Sequence, residues 1–460
     1  MEYRGRRAAF VAAACLACVG VFSNHSYSGL VDKESGVSIM VKVRGICGLI
    51  YAFSGLICLS SCQTTASRVK SGEGSGVDSQ GAVAKAPNPA PLLDQPAVFD
   101  CAALDFGIYW YGPGNTAQKA TTGTTSVFFD PSKPTVIYAH GWQKDSTKAR
   151  RREDFLFKEA ADDSVKNVAD AWLTAGWNVG IFYWNQFADE DDVRSAESKI
   201  WTLPDPTVAL TGMRWRQCDG SFSSVSSPVV PVGELFLESY RNALAGYQGS
   251  NIRLVGHSLG NQVVTRLAGL IADQVASGQL ARNLLPTRVA LMDPWWSMAP
   301  ASGDKLPEPA PQGGLPPKLP PLVPWHGPEA AEIVRRLVAG GMIFERYQTS
   351  DILALASGDP NLTLTGLIGI VIRAPIFISS SDLGMQTGMR HVVAPRLYFQ
   401  DFAFPPPTTC DDSGCGGLAL SSSVSDERAR ELMQRHARLQ QNAGEATVTP
   451  VDDRYQMIVP

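Results

Sequence analysis

Beyond residue 97, short apolar runs of strand length alternate with longer stretches whose apolar positions have helical spacing. The runs that predict strands are 135–139, 178–184, 252–255, 288–292 and 342–347. The stretches that predict helices are 151–174, 233–245, the residues after 260, and 425–440, whereas 364–378 fits either element. Such alternation predicts the α/β fold class, with a mostly parallel, doubly wound sheet covered by helices on both faces.

The strongest local signal lies where the strand 252–255 meets a helical pattern. Gly256, Ser258 and Gly260 form a G-x-S-x-G motif at this junction, with His257 and Leu259 between them. In this context the motif predicts a turn so tight that only glycine fits on both flanks, with the serine raised at a helix N-terminus. The alternative is a Gly-Ser turn without chemistry. We therefore predict Ser258 as a nucleophile and the Leu259 N–H as an oxyanion donor.

Two further segments, each at the end of a predicted strand, accompany the Ser258 motif. His140-Gly141-Trp142 ends the strand 135–139, and Asp293-Pro294 ends the strand 288–292. With the Ser258 motif and a downstream histidine, these segments resemble the α/β-hydrolases, specifically the pancreatic-lipase-like branch, over about residues 136–398. The resemblance implies a nucleophile elbow and the N–H of Trp142 as second oxyanion donor. Gly141 then lets the backbone approach the substrate.

A serine hydroxyl needs a base, and an imidazole suits that task near neutral pH. Of six histidines, five are poor candidates by position or because they sit inside motifs where backbone placement matters: His25, His140, His257, His326 and His436. His391 remains, predicted on a loop after the apolar segment 364–378, and it completes the order Ser, Asp, His. A structural histidine is the alternative.

Two aspartates could orient that imidazole. Asp293 follows the strand 288–292, and Asp351 follows the strand 342–347. Most α/β-hydrolases place the acid after the later strand, whereas the pancreatic-lipase-like branch places it after the earlier one. Either residue could also be a turn aspartate that caps its own backbone. The resemblance favours Asp293, with Asp351 as the alternative acid.

Charge and composition narrow the classes of partner and ligand that the protein is expected to bind. The formal net charge of the 460 residues is −4, which offers no basic field for nucleic acid, and no cofactor motif is present. The acidic run 189–192 could bind calcium, but its spacing matches no known loop, so a solvated face is the favoured interpretation and no metal is expected. A Pro-rich insert at 299–327 departs from the resembled branch and is expected to roof the site.

The N-terminal region predicts export. Residues 40–59 have a basic start and an apolar core, and they lead to Cys62 in a sequence that resembles the lipobox of bacterial lipoproteins. This resemblance makes Cys62 the lipidated residue, Met40 the candidate start, and Gln63 a signal for outer-membrane sorting. A plain signal peptide is the alternative. The expected organisation is an export region at 1–62, a flexible tether at 63–97, a hydrolase domain at 98–406, and a C-terminal loop and helix at 407–460.

An exported protein can form disulfides. Cys410 and Cys415 are close enough to close a small loop, which leaves Cys101 with Cys218, although free buried thiols are also compatible with the sequence. The residues and the resemblance together predict an exported serine hydrolase of carboxylic esters, with a lipid-like ester as substrate and a lipid anchor as membrane contact. A small-ester esterase, a phospholipase, a thioesterase and a non-catalytic binding module are the alternatives.

Overall fold

The computed structural model describes residues 99–123, 126–158, 165–203, 212–297, 326–350, 371–373, 383–411, 414–435, 438–443 and 453–458. The predictions at Cys62, the export region, the tether, Asp351 and His436 lie outside these residues. Of the Pro-rich insert, only His326 and Gly327 are described.

The described strands are β1 (Gly107–Gly112), β2 (Thr116–Lys119), β3 (Thr135–Ala139), β4 (Leu156–Lys158), β5 (Val165–Asn167), β6 (Asn178–Tyr183), β7 (Trp215–Arg216), β8 (Phe222–Ser223), β9 (Ile252–His257), β10 (Arg288–Met292), β11 (Ile343–Gln348), β12 (Val371–Arg373), β13 (Thr408–Asp411), β14 (Gly414–Leu418), β15 (Arg438–Ala443) and β16 (Arg454–Ile458). The helices are α1 (Val168–Thr174), α2 (Asn185–Ala188), α3 (Val193–Trp201), α4 (Val232–Ala243), α5 (Gly260–Ala276), α6 (Gly327–Ala339), α7 (Leu383–Gln400) and α8 (Asp426–Gln434). Short 3-10 turns occupy Pro113–Asn115, Arg282–Leu284 and Asp401–Ala403.

One sheet organises the described part of the chain. Its order is β14-β13-β16-β15-β12-β11-β10-β9-β3-β6-β1-β2, and the strands from β6 to β12 are parallel. Antiparallel pairs occur toward its two ends, and β4-β5 and β7-β8 are separate hairpins. The carboxyl ends of β9 and β10, adjacent in this order, carry Ser258 and Asp293.

Side chains alternate along each central strand between two hydrophobic clusters, one on each face of the sheet. On β3, Ile137 and Ala139 enter the cluster that includes α3, α4, α5 and α6, whereas Val136 and Tyr138 enter the cluster that includes α1, α7 and α8. Parallel strands buried on both faces are mostly apolar, which is why their sequences are predominantly apolar runs. The exceptions on β9, β10 and β11 are the buried charged residues Arg253, Arg288, Glu345 and Arg346. The fold class is α/β, as predicted.

Most predicted central elements are confirmed, with shifted ends. The strands 135–139 and 288–292 agree with β3 and β10, and the helix 233–245 corresponds to α4. The strand 252–255 extends two residues further, to His257 in β9. The ambiguous run 364–378 is described only at 371–373, which form β12.

The predicted helix 151–174 is wrong in its first half, because the described helix begins only at Val168. Tertiary and local hydrogen bonds occupy the backbone before it. The Tyr183 hydroxyl donates to the Glu153 carbonyl (2.6 Å), and the Val168 N–H donates to the Phe155 carbonyl (3.0 Å). These bonds hold the chain in the β4-β5 hairpin, so the apolar spacing reflects core contacts rather than a helix.

The predicted C-terminal helix 425–440 is also too long. Helix α8 ends at Gln434, and β15 then pairs with β12 and β16. Leu439 in β15 is buried and Gln440 is exposed, which is the period of a strand. The segment 407–460, expected as a loop and a helix, therefore also extends the sheet through β13 to β16.

Both expected disulfides are present. Cys101 pairs with Cys218 across 117 positions of sequence, and Cys410 pairs with Cys415 within the β13-β14 hairpin. The pairing expected from export is thus confirmed over the free-thiol alternative. Within the described ranges, none of the helices combines the length and apolar character needed to cross a bilayer.

Candidate active site

The backbone between β9 and α5 turns sharply at Ser258. Its φ is 54°, in the left-handed region that side chains other than glycine rarely adopt. A Cβ at Gly256 would lie 2.6 Å from the Gly260 carbonyl oxygen, and one at Gly260 would lie 2.2 Å from the Ala139 carbonyl oxygen. The prediction that only glycine fits on both flanks is confirmed, and the turn has the geometry of a nucleophile elbow.

Neighbouring backbone holds the elbow in place. The Ser258 N–H donates to the Met292 carbonyl (3.0 Å), which extends the pairing of β9 with β10 beyond the strand end. The Asn261 amide donates to the carbonyls of both Ser258 (2.8 Å) and Met292 (2.9 Å). Sequence reasoning missed Asn261, although a polar residue in the first turn of a mostly apolar helix was a usable signal.

Asp293 follows β10 and is fully buried. One carboxylate oxygen accepts the N–H groups of Thr349 (3.0 Å) and Ser350 (3.1 Å). The other accepts the Ser350 hydroxyl and Nδ1–H of His391, the latter at 2.5 Å. This many donors stabilise a carboxylate in a buried position. Ser350 was missed from the sequence, although it follows β11, the strand adjacent to β10.

His391 lies in helix α7 rather than on the predicted loop. Gly388 and Pro395 both disfavour a helix in isolation, but burial of Ala394, Tyr398 and Phe399 against the sheet outweighs that preference. Since Nδ1 donates to Asp293, the neutral ring carries its lone pair on Nε2. The second acid candidate, Asp351, lies outside the described residues.

The His391 ring lies on the same side of the sheet as the elbow. Its centroid is 4.7 Å from that of His257, the residue before Ser258. Among the described residues, no hydrogen bond joins the Ser258 hydroxyl to this ring. Such contacts are commonly long in enzymes without substrate and shorten in the complex. Ser258, Asp293 and His391 thus converge from β9, β10 and α7.

The loop after β3 lies directly over the elbow. A Cβ at Gly141 would be 2.7 Å from the Ser258 Cβ and 3.3 Å from the Leu259 nitrogen. The buried His140 ring bonds the Gly141 carbonyl through Nδ1 (2.9 Å), while its Nε2 accepts from the Trp184 N–H (3.4 Å). Because a trans peptide places C=O and N–H on opposite sides, this bond turns the Trp142 N–H away from His140.

Burial makes the two motif histidines poor cations. It lowers the pKa of His140, and together with the neighbouring His391 it lowers the pKa of His257 to about 4. Both rings are therefore neutral at neutral pH, and they serve as hydrogen-bonding groups. The His257 Nε2–H donates to the main-chain carbonyl of His391 at 2.8 Å.

The acidic run 189–192 is a solvated face only in part, because its first half is buried whereas the Asp191 side chain is exposed. Asp189 and Glu190 are fully buried, and Glu190 pairs with Lys199 (2.6 Å) and Arg214 (2.5 Å). Asp192 caps helix α3 by accepting the Ser195 N–H. The solvated-face interpretation is wrong for Asp189 and Glu190, because the sequence does not reveal which cations fold against them. Within the described chain, no group of three or more His, Cys, Asp or Glu side chains is arranged to hold a metal ion.

The acidic run also supports the loop after β3. Asp189 accepts the N–H groups of Asp145 (2.7 Å) and Thr147 (2.9 Å), and the Glu190 carbonyl accepts the indole N–H of Trp142 (2.7 Å). This support was missed, because it joins segments more than forty residues apart.

Ser297 and Gly327, which are thirty positions apart in sequence, lie next to each other. The Gly327 N–H donates to the Ser297 carbonyl at 2.8 Å, and Ser297 also donates its hydroxyl to the buried Glu197 (2.6 Å). Two tryptophans precede Ser297 in the sequence. Trp296 is fully buried in the core, and Trp295 is half-buried. The residues between 297 and 326 are outside the description.

The sequence matches no protein-family model, and no curated protein matches it. Solved structures with partial likeness include a poly(3-hydroxybutyrate) depolymerase from Bordetella parapertussis, 16% identical over 56% of this chain and 72% of that one, with a TM-score of 0.23. The thioesterase domain from the curacin biosynthetic pathway is 10% identical over 64% of this chain and 99% of its own, with a TM-score of 0.28. Esterase 2 of Thermogutta terrifontis is 9% identical over 67% and 95%, with a TM-score of 0.27.

Scores this low do not bear on substrate or reaction. The strand order and the elbow after β9 define the fold by themselves, and they are those of the α/β-hydrolase fold.

Proposed function

We propose that the protein is a serine hydrolase that cleaves carboxylic esters through an acyl-enzyme. The observation that carries the proposal is that the imidazole bonded by Asp293 packs against the ring of His257, the residue directly before a serine held on a strained elbow. In this assignment Ser258 is the nucleophile, His391 the general base and Asp293 the acid that fixes the imidazole tautomer. The backbone N–H groups of Leu259 and Trp142 are the oxyanion donors.

In the first half of the reaction, the Ser258 oxygen attacks the ester carbonyl carbon while His391 Nε2 takes the hydroxyl proton. The carbonyl oxygen becomes an anion, which the N–H groups of Leu259 and Trp142 stabilise. Collapse of the tetrahedral species breaks the ester C–O bond, and the alcohol leaves with the proton from His391. Asp293 stabilises the imidazolium during this step.

In the second half, His391 takes a proton from water as the water oxygen attacks the acyl-enzyme carbonyl. A second tetrahedral anion forms in the same oxyanion site. It collapses by breaking the bond to the Ser258 oxygen, which regains its proton from His391. The acid product leaves and the site returns to its starting state.

We infer a lipid-like ester as the substrate class. Apolar side chains exposed beside the site support this inference: Trp142 is 36% exposed and Val392, next to His391, is 61% exposed. An apolar rim favours an acyl chain over a charged or sugar-like group. The pancreatic-lipase-like resemblance of the sequence points the same way, with acylglycerols as the corresponding esters.

The first test uses a fluorophosphonate probe and a series of nitrophenyl esters of increasing acyl length. We expect labelling at Ser258, and kcat/KM that increases with chain length. Ser258→Ala should lose labelling and lower kcat on the order of a millionfold. A chain that is never labelled would be a binding module, whereas labelling with a preference for short esters would indicate a small-ester esterase. Faster cleavage of matched thioesters would indicate a thioesterase.

The second test separates the two candidate acids. Asp293→Asn should lower kcat by about 10⁴-fold with folding retained, because the imidazole loses the partner that sets its tautomer. Asp351→Asn is the matched control and should change kcat less than about threefold. The reverse pattern would assign the acid to Asp351.

We also propose that the protein is exported to the bacterial cell envelope as an outer-membrane lipoprotein, anchored through Cys62. Two or more acyl chains at about 0.8 kcal/mol per buried CH₂ make such an anchor stable. Incorporation of labelled palmitate that is lost in Cys62→Ser, with release of the protein from the membrane fraction, is the expected result. Cleavage and release of the parent without lipid would instead indicate a plain signal peptide.

A further inference from the structure

A proline lies four residues after the base, inside the same helix. Pro395 belongs to α7 (Leu383–Gln400), as does His391. In a helix, the N–H of a residue bonds the carbonyl four positions earlier, but proline has no N–H and its ring pushes that carbonyl aside. The carbonyl that loses its helical partner is that of His391. A buried carbonyl left without a donor costs free energy, so another donor is needed.

His257 supplies that donor. Its Nε2–H bonds the His391 carbonyl at 2.8 Å. Strand alternation explains the contact, because His257 lies two residues after Val255, whose side chain enters the cluster on the α7 face of the sheet. The low pKa of His257, caused first by burial, keeps the ring neutral, with its single proton committed to this bond.

His391 is therefore held at two points by different groups. Asp293 bonds its ring, and His257 bonds its main chain. Further along α7, the indole N–H of Trp172 donates to the Phe399 carbonyl (2.9 Å) and the Ser422 hydroxyl to that of Tyr398 (2.5 Å), so the helix end is held separately. The hydrogen bond from the ring to Asp293 sets the tautomer of His391. The hydrogen bond from His257 to the main-chain carbonyl fixes the position of the His391 backbone, and hence the point from which its side chain extends.

We propose that His257 is a positioning residue for the base, acting through the main-chain carbonyl that Pro395 leaves without a helical donor. This inference rests on the proposed function, since it assigns to the variable position of the G-x-S-x-G motif a role in placing His391 Nε2 toward Ser258. The oxyanion donors and the acid are not involved.

The experiment compares a matched pair of amides. His257→Gln places an NH₂ group near the position of Nε2, whereas His257→Asn, one CH₂ shorter, reaches only the position of Nδ1. The readout is the second-order rate constant for phosphonylation of Ser258, with thermal unfolding measured in parallel. We expect the Asn variant to react about 10- to 100-fold more slowly than the parent and the Gln variant to stay within about threefold.

A second arm restores the helical donor. Pro395→Ala provides an N–H for the His391 carbonyl, so the loss caused by His257→Asn should shrink to less than about threefold in the Pro395→Ala background. The pH dependence of labelling should keep its shape in all variants, because the base is displaced rather than replaced.

Three outcomes would overturn the inference: equal losses in the Asn and Gln variants, equal effects of His257→Asn in both backgrounds, or a change in unfolding temperature without a change in rate. Absence of labelling in the parent protein would instead overturn the proposed function, so the two failures are distinguishable.

Discussion

The loop that carries Gly141 and Trp142 is held in place by a different kind of interaction on each of its two sides. Toward the elbow it is held by close contact, since the position of a Gly141 Cβ lies 2.7 Å from the Ser258 Cβ. Away from the elbow it is held by buried charge, through Asp189 and Glu190 with their cations Arg216 and Lys199. The first side tolerates no added atom, whereas the second tolerates a new side chain that keeps charge and hydrogen bonds balanced.

The largest effect should come from adding one methyl group on the close-contact side. Gly141→Ala should lower kcat by about 10²- to 10³-fold, because the loop must move and with it the Trp142 N–H that we propose as an oxyanion donor. Steady-state kinetics measure the loss of turnover, and a thermal melt measures any loss of stability separately. Gly388→Ala is the matched control, since a Cβ there meets nothing within 4 Å, and its kcat should stay within about twofold of the parent. Full activity in Gly141→Ala would contradict the close-contact description.

On the charged side the effect should fall on stability. Glu190→Gln leaves Lys199 buried without its carboxylate and should lower the free energy of unfolding by about 3–5 kcal/mol. We expect kcat to fall by less than about tenfold, because Trp142 bonds the main chain of residue 190 rather than its side chain.

The control for this change is Asp191→Asn, whose side chain is 57% exposed although it pairs with Arg216. It should lower the free energy of unfolding by less than about 1 kcal/mol. Denaturant melts at neutral pH provide the comparison. A Glu190 variant that lost turnover but kept its stability would remove the distinction between the two sides.

The smallest effect should be a dependence of stability on acidic pH, caused by His257 on the close-contact side. In the unfolded chain His257 takes up a proton near its ordinary pKa of 6.5, but in the folded chain only near pH 4. Its contribution to stability is therefore complete above pH 6.5 and is lost as the pH falls toward 4, by about 3 kcal/mol at most. His257→Gln, which does not titrate, should flatten the unfolding free energy over this interval. An unchanged slope would mean that His257 does not stay neutral when buried.

The central strands and the elbow were predictable from the sequence because their causes are local. Buried parallel strands are predominantly apolar runs, and the elbow requires glycine at two fixed positions. The burial of Glu190 was not predictable, because its partners Lys199 and Arg214 become neighbours only in the folded chain. The loop predicted at His391 failed similarly, since Pro395 disfavours a helix locally and the contacts that stabilise α7 lie in distant strands.

The hydrogen bond between Ser297 and Gly327 bears on how the length of the segment between them can evolve. Because the chain departs and returns at one place, the number of residues between those points can grow or shrink in evolution without moving a strand. Related chains can thus differ in length between these two points while Ser258, Asp293 and His391 keep their places. The same closure makes this place suitable for grafting a foreign segment.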